Sequence, residues 1–301
     1  MAQGPSSAAA GPWTARPPLR IALPDGSVLD TGPRPLVMGV LNVTPDSFSD
    51  GGAFFEPQAA VERGLQMAAE GADLLDVGGE STRPGSEPVS PQEERRRVLP
   101  VLQELARRTN VPLSIDTRRA EVAAAALEAG ARIINDVSAL RDDPQMAPLA
   151  AERGAAVCLM HMQGTPRTMQ VNPTYREVVS DIKGWLKERT ERALEAGIRR
   201  DRIVVDPGFG FGKTPQHNLE LLRRLHELHS LGFPVLVGTS RKATLGAILN
   251  AGPQGRLYGT LATVACAVMA GCHAVRVHDV QAAREVVLVC EAIRQGMGWT
   301  P

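Results

Sequence analysis

Aromatic side chains are scarce in this chain, at 4% of residues, and those present are placed against habit. Five of the six phenylalanines, Phe48, Phe54, Phe55, Phe209 and Phe211, fall in expected loops rather than in strands or helices. Rings that fill a core would be placed the other way round, so these point to ligand contact. Cysteine is scarce too. Cys158, Cys266, Cys272 and Cys290 form no CxxC pair and sit in apolar stretches. That argues against zinc and disulfides, and for reduced, buried thiols in a cytoplasmic protein. Net charge is absent, with 33 basic and 33 acidic residues, so composition gives no support for nucleic-acid or membrane-surface binding. No apolar run reaches the ~20 residues of a membrane helix. Residues 1–18 lack a basic start followed by an apolar block, which excludes a secretory signal and leaves a disordered tail.

What is there is a long run of strand and helix signals. With 301 residues and 43% hydrophobic content, the chain can bury a large core. A hairpin is expected over Leu19 to Asp30, around Pro24-Asp25-Gly26. From Leu36 onward, short β-branched runs alternate with segments rich in alanine and leucine. Strands are expected at 36–42, 73–78, 112–116, 132–137, 155–161, 202–206, 234–239 and 274–278. Helices are expected at about 58–71, 92–108, 119–130, 145–153, 176–196, 216–230, 258–271 and 280–295. Gly71, Gly130, Gly197 and Gly271 supply helix stops. Eight βα units in one chain predict a (β/α)₈ TIM barrel with an N-terminal hairpin, as a single domain over 19–301. A doubly wound open sheet is the alternative.

The most informative stretch is Ile203 to Thr214, IVVDPGFGFGKT. Ile203, Val204 and Val205 read as a buried strand, ended by Pro207, which cannot donate to a ladder. Asp206 therefore stands at a strand's carboxyl end, beside a loop whose three glycines permit sharp turns and close approach of a ligand. A P-loop would need glycine at Pro207, and a dinucleotide fingerprint fails because Gly212 comes one residue early. Only four residues are lysine, and two of them, Lys213 and Lys242, follow glycine-containing strand ends.

The other strand ends are polar as well: Asn42, Asp76, Asp116, Asn135-Asp136, His161, Ser240-Arg241-Lys242, and Arg276 with His278 and Asp279. An acid after a strand often caps the next helix, the simplest reading of Asp279. A whole set of polar ends is different, because a barrel brings them to one pocket. Asn135 and Asp136 are adjacent, so only one faces the axis, whereas Arg276 and His278 share a face. Asp116 and Asp206 are acceptors suited to a planar heterocycle with several N–H donors. Asn42, Arg276 and His278 suit an anion and a hard cation. The run Glu93 to Arg97 reads as a solvated helix face.

The segments MGVLNVTPDSFSDGG, DLLDVGGESTRPG, SIDT, IINDVS, MHMQGTP, DPGFGFGK, GTSRK and RVHDV occur in this order. Together they closely resemble the bacterial dihydropteroate synthases, over about Leu19 to Gln295. The resemblance implies a dimeric (β/α)₈ barrel in folate synthesis. Such an enzyme joins 6-hydroxymethyl-7,8-dihydropterin diphosphate to 4-aminobenzoate, releases diphosphate and uses Mg²⁺. It implies that Asp116, Asn135, Asp206 and Lys242 hold the pterin, that Asn42 is linked to Mg²⁺, and that Arg276 and His278 serve the diphosphate. Thr82, Arg83 and Pro84 would cover diphosphate and aminobenzoate, and Phe48, Pro84, Phe211 and Ser240 would surround the aminobenzoate ring. Among these, Asp116, Asp206, Lys242 and Arg83 are the expected catalytic residues. His161 is in the family pattern and reads as structural. Ala243 departs from it, standing where serine usually follows SRK. A pterin-dependent methyltransferase and a non-catalytic pterin-binding relative are the alternative functions. The two loops 43–57 and 80–91 are long and rich in Gly, Pro, Ser and Asp, and are expected to be mobile without ligand.

Overall fold

The computed structural model describes residues 13–44, 57–81, 86–298 and 300. Two strands, β1 (Arg20–Ala22) and β2 (Val28–Asp30), pair antiparallel as the expected hairpin. Eight more form one parallel sheet: β3 (Leu36–Asn42), β4 (Leu74–Gly78), β5 (Leu113–Asp116), β6 (Ala131–Asp136), β7 (Ala156–Met160), β8 (Ile203–Asp206), β9 (Leu236–Val237) and β10 (Ala274–Val277). Their order is β8-β7-β6-β5-β4-β3-β10-β9, and a parallel bridge between Val205 and Val235 joins the two ends. The sheet is thus the TIM barrel that the βα alternation predicts, and the open sheet is set aside.

The expected 234–239 strand shrinks to β9, two residues long. Val235, just before it, gives its N–H to His273 Nδ1 at 2.9 Å instead of a strand neighbour. The expected helix over 216–230 divides into α6 (Pro215–Arg223) and a 3₁₀ turn, Leu225–Leu231. A short helix, α7 (Ala243–Leu249), lies in a stretch read as loop, and it ends at Asn250 with φ +49°. Seven residues give too little periodicity to be seen against background.

Successive side chains on a strand face opposite ways, so residues two apart share a face. Along the barrel axis this gives two layers of opposite character. The lower layer is apolar: Leu74, Ile133, Cys158, Val204, Leu236 and Ala274 pack together, closed beneath by Ile21 and Leu23 of the hairpin. Two residues further along the chain from each of these stand Asp76, Asn135, Met160, Asp206, Gly238 and Arg276. The hairpin is the barrel's floor, held at its rim by an Arg132–Asp25 ion pair of 2.7 Å. The outer face of the sheet packs on the helices in the main core, with Leu41, Ile115, Leu159 and Val205 all at 1% exposure or less.

Four expectations are corrected. Phe209 lies in this main core at 2% exposure while also bordering the pocket at the barrel mouth, so one loop phenylalanine is partly a core ring; the loop folds back onto the barrel. Cys266 is exposed, unlike Cys158, Cys272 and Cys290, because it faces outward from α8 (Leu257–Met269). Within the 93–97 run, Glu94 is fully buried in α2 (Pro91–Arg108) and ion-paired with Arg119. Residues 13–18 are not tail. Arg16 pairs with Glu291 at 2.5 Å and donates to the carbonyls of Thr31 and Gly32. Replacing Arg16 with alanine would leave Glu291, of 10% side-chain exposure, with only the more distant Arg294 guanidinium at 3.6 Å. We expect Arg16→Ala to cost about 2 kcal/mol, read as a lower urea midpoint at unchanged m; a midpoint at the wild-type value would refute it.

Candidate active site

The polar layer forms one pocket at the carboxyl end of the barrel. Its lining includes Asp116, Asn135, Asp206, Phe211, Lys242 and Arg276, with Val137 and Met160 as apolar members. Gly238 leaves room on the β9 side, where a methyl group would stand 3.7 Å from Arg276 Cβ. All the residues predicted for the heterocycle therefore meet in one cavity.

Charge organises its base. Arg276, reaching across from β10, donates from Nε to Asp76 Oδ2 at 2.6 Å and from Nη2 to Asp116 Oδ2 at 2.7 Å. Asn135 Nδ2 donates to the same Asp76 oxygen at 2.8 Å. Asp76 is wholly buried, and its Oδ1 has no hydrogen-bond partner among the described residues. The sequence marks Asp76 as a polar strand end without assigning it a role. The pleat was the available signal, since it puts Asp76 two residues above the core residue Leu74. Arg276, expected at the diphosphate, instead has its guanidinium turned onto the two carboxylates. Neighbouring Asp136 points away from the axis as alternation requires. It accepts from the Ser138 and Leu140 backbone N–H groups and shapes the turn after β6.

Burial raises the two inward acids Asp116 and Asp206, and the outward Asp136 with them. Asp116 is pushed up to about 7, with Arg276 opposing the rise. Asp206 is also raised by burial, against the Gly208 N–H and the charges of Lys242, Arg276 and Lys213. Asp136 moves to about 6 for the same reason, resisted by its bonds to Ser138 and Leu140. A ligand that brings N–H donors supplies what a desolvated carboxylate lacks.

The 208–212 loop is built around Asp206, whose Oδ1 accepts the Gly208 N–H at 2.7 Å. Gly208, Gly210 and Gly212 all have positive φ, at +67°, +85° and +61°. The requirement is steric at Gly208, where a Cβ would lie 1.9 Å from the His161 carbonyl oxygen. This turn sets Phe211 into the pocket beneath Lys242, whose Nζ lies 4.1 Å from the ring centroid. The contact has cation–π geometry. Lys242 reaches that place through Arg241, which adopts φ +57° and pairs with Asp279 at 2.6 Å. Asp279 is thus an anchor for the 240–242 turn, and its side chain makes no cap bond to the following helix. Ala243 is simply the first residue of α7.

At the mouth, Ser240 Oγ lies 2.9 Å from His278 Nδ1 and accepts the His278 backbone N–H at 3.3 Å. A serine that accepts there is best used as donor to Nδ1, which leaves the imidazole proton on Nε2. Burial, with Arg276 and Arg241 nearby, holds His278 down to about 3, so it is a neutral donor. Asn42 ends β3, half-buried, in register with Gly78. Phe48, Thr82, Arg83 and Pro84 lie outside the described residues, as do residues 45–56 of the first long loop. The base of the second loop is well held: Arg119 donates to both Glu80 oxygens and to the Val89 carbonyl, and Ser86 Oγ donates to the Ser81 carbonyl at 2.5 Å. Among the described residues no group of three His, Cys, Asp or Glu side chains is placed to hold a metal ion.

Acidic acceptors inside a barrel mouth, with a neutral imidazole and an amide at its rim, define a site for a donor-rich ring carrying an anion. The comparisons agree. The chain belongs to the family of pterin binding enzymes, whose model matches residues 38–278. Its relatives narrow the class further. Dihydropteroate synthase of Escherichia coli K12 is 48% identical over 267 residues, covering 89% of this chain and 94% of that protein. The Xanthomonas albilineans dihydropteroate synthase solved with 4-aminobenzoic acid superposes with a TM-score of 0.86 at 45% identity, over 92% of this chain and 99% of that one. The same enzyme in complex with 7,8-dihydropteroate superposes with a TM-score of 0.83 at 43% identity, over 91% and 98%.

Gly208→Ala tests the loop geometry without any ligand. The variant must displace the His161 backbone or abandon its own φ, so we expect a loss of at least ~2 kcal/mol. Hydrogen exchange should show the loss concentrated in 206–213. Wild-type protection there would refute the geometry.

Proposed function

We infer that this enzyme carries out the dihydropteroate synthase reaction, joining 6-hydroxymethyl-7,8-dihydropterin diphosphate to 4-aminobenzoate with release of diphosphate. The single observation that carries this is the pocket of Asp116, Asn135 and Asp206 at one barrel mouth, in a chain 48% identical to a dihydropteroate synthase. The ring sits among those acceptors, with Phe211 and Lys242 along its face. The methylene group then points out of the barrel, and its diphosphate meets the Nε2–H of His278 and the Asn42 amide. When the methylene C–O bond breaks, the electron pair leaves with diphosphate. Asp116 and Asp206 favour the positive charge that develops on the pterin. The aminobenzoate nitrogen forms the new C–N bond from the open side and gives up a proton. No enzyme nucleophile is needed: Cys158, the thiol nearest the pocket floor, is buried and held well above its ordinary pKa by desolvation. The high identity to a dihydropteroate synthase favours this reading over a methyltransferase.

Mg²⁺ belongs to the same proposal. Asn42 offers one hard oxygen, which fits a Mg²⁺ that keeps water and takes most of its ligands from substrate phosphates. Such an ion would neutralise the leaving diphosphate. A homodimer also belongs to it. Tyr258 and Cys266 on α8 and Leu288, Val289 and Ile293 on the adjacent α9 (Val280–Gln295) are exposed, a paired-helix surface suited to a second copy. The enzyme is cytoplasmic in this reading, since its four cysteines are free thiols.

Purified enzyme with Mg²⁺ should release diphosphate when both substrates are present, and form no pteroate when either is left out. Asp206→Asn and Asp116→Asn should each weaken pterin diphosphate binding by ~1.5–3 kcal/mol without unfolding. Product formation without 4-aminobenzoate, or undiminished binding in both variants, would reject the assignment.

Proton competition gives a second test. The pterin donates N–H groups, so it binds ionised Asp116. Below a pKa of about 7 the carboxyl takes a proton and loses an acceptor, and affinity should fall as pH drops through that range. Above it, affinity should level off. Asp116→Asn should bind weakly with this pH dependence removed. Titration calorimetry from pH 5.5 to 8.5 measures both, and an equal slope in the two proteins would assign the titration elsewhere.

A further inference from the structure

Lys213 is a cation in an unusual place. It follows the glycine loop directly, is only 3% exposed, and lines no part of the pocket as described. Burying an ammonium is costly unless its donors are satisfied. Here all three are used: Nζ lies 3.0 Å from His161 Nδ1, 2.9 Å from the Gly208 carbonyl and 2.9 Å from the Phe211 carbonyl. Desolvation, with Lys242 nearby, lowers its pKa to about 7, while Asp206 acts the other way.

The acceptors explain the location. The 208–212 loop has no ladder or helix of its own, so its carbonyls need other donors. Gln170 Nε2 serves the Gly210 carbonyl at 2.8 Å, and the Tyr175 hydroxyl serves the Gly212 carbonyl at 2.6 Å. On the outer side, Asn218 Oδ1 accepts the Gly210 N–H at 2.7 Å. Lys213 supplies the two inner carbonyls, one on each side of Phe209 and Gly210, and so draws the loop into a closed turn. His161 makes this possible by presenting Nδ1 as an acceptor, which requires the neutral ring with its proton on Nε2. Burial and the charge of Lys213 hold His161 well below its ordinary pKa, consistent with that state. The ring is fixed edge-on to Trp185, centroids 4.8 Å apart.

We propose that Lys213 and His161 are a positioning pair for the pterin site: the buried ammonium, held by the imidazole, ties the 208–212 loop into the one shape that brings Asp206 and Phe211 to the ligand. This rests on the pterin reading of the pocket. Neither residue touches the reacting atoms. The pair acts through Asp206, whose carboxylate already holds the loop's first N–H, and through Phe211, whose carbonyl Lys213 binds and whose ring lines the pocket.

The test separates positioning from mere stability. An asparagine at 161 can place its amide oxygen close to where Nδ1 stands, whereas leucine fills the space without an acceptor. We expect Lys213→Met and His161→Leu each to weaken pterin diphosphate binding roughly tenfold or more, the loss of a charge-assisted bond. His161→Asn should stay within about threefold of wild type. In Lys213→Met, the choice between His161→Leu and His161→Asn should no longer matter, because the bond they differ in is already gone. The reading is calorimetric Kd, with each variant's melting temperature recorded. Wild-type affinity in Lys213→Met would overturn the proposal. Equal loss in His161→Asn and His161→Leu would also overturn it, and this comparison stands even if Lys213→Met does not fold. Wild-type enzyme that binds the pterin diphosphate but releases no diphosphate with 4-aminobenzoate would reject the proposed function and leave this inference intact.

Discussion

Three carboxylates and three cationic side chains gather at the mouth of this barrel and just behind its walls, and the rest of the molecule is arranged so that they can. Asp76, Asp116 and Asp206 face inward with Arg276, Lys242 and Lys213 close by. Each would be expensive to bury alone. Together they are near balance, and the shortest pairs converge on Arg276. The apolar layer beneath, closed by the hairpin, keeps water away from the lower side and so strengthens every interaction above it. The strands deliver the charges; the helices outside hold the strands.

A balanced mouth is not a satisfied one. Asp76 Oδ1 has no partner among the described residues, and burial pushes Asp116 and Asp206 upward despite the cations. The site is therefore preorganised toward donors that the protein withholds. That is the electrostatic condition under which a ring rich in N–H groups binds tightly and under which positive charge developing on it is stabilised. The loop carrying Phe211 complements this from the side. Its shape is set by side-chain donors because it has no regular structure, and so a few residues far from the reacting atoms govern one wall of the pocket.

Much of this was legible in the chain itself. Polar residues at the ends of β-branched runs marked the mouth, and their period-two spacing gave the inward face of Arg276 and the outward face of Asp136. What was missed has physical causes. Asp279 looked like a helix cap because caps are local, yet its partner Arg241 is 38 residues away. Glu94 looked solvated because its neighbours are charged, yet Arg119 from another strand end buries it. Phe209 borders the pocket as its loop position suggests, yet it also joins the main core, because loop membership says nothing about where a loop folds back.

By itself the sequence determined the barrel, the strand that carries each acceptor, and the family, because these depend on periodicity and on short runs of adjacent residues. The tertiary structure decided which charges meet. Arg276 reaches Asp116 across 160 residues of chain and Asp76 across 200, and Lys213 meets His161 across 52. Such pairings follow from barrel closure, which sets strands side by side irrespective of their separation in sequence, and no local pattern encodes them.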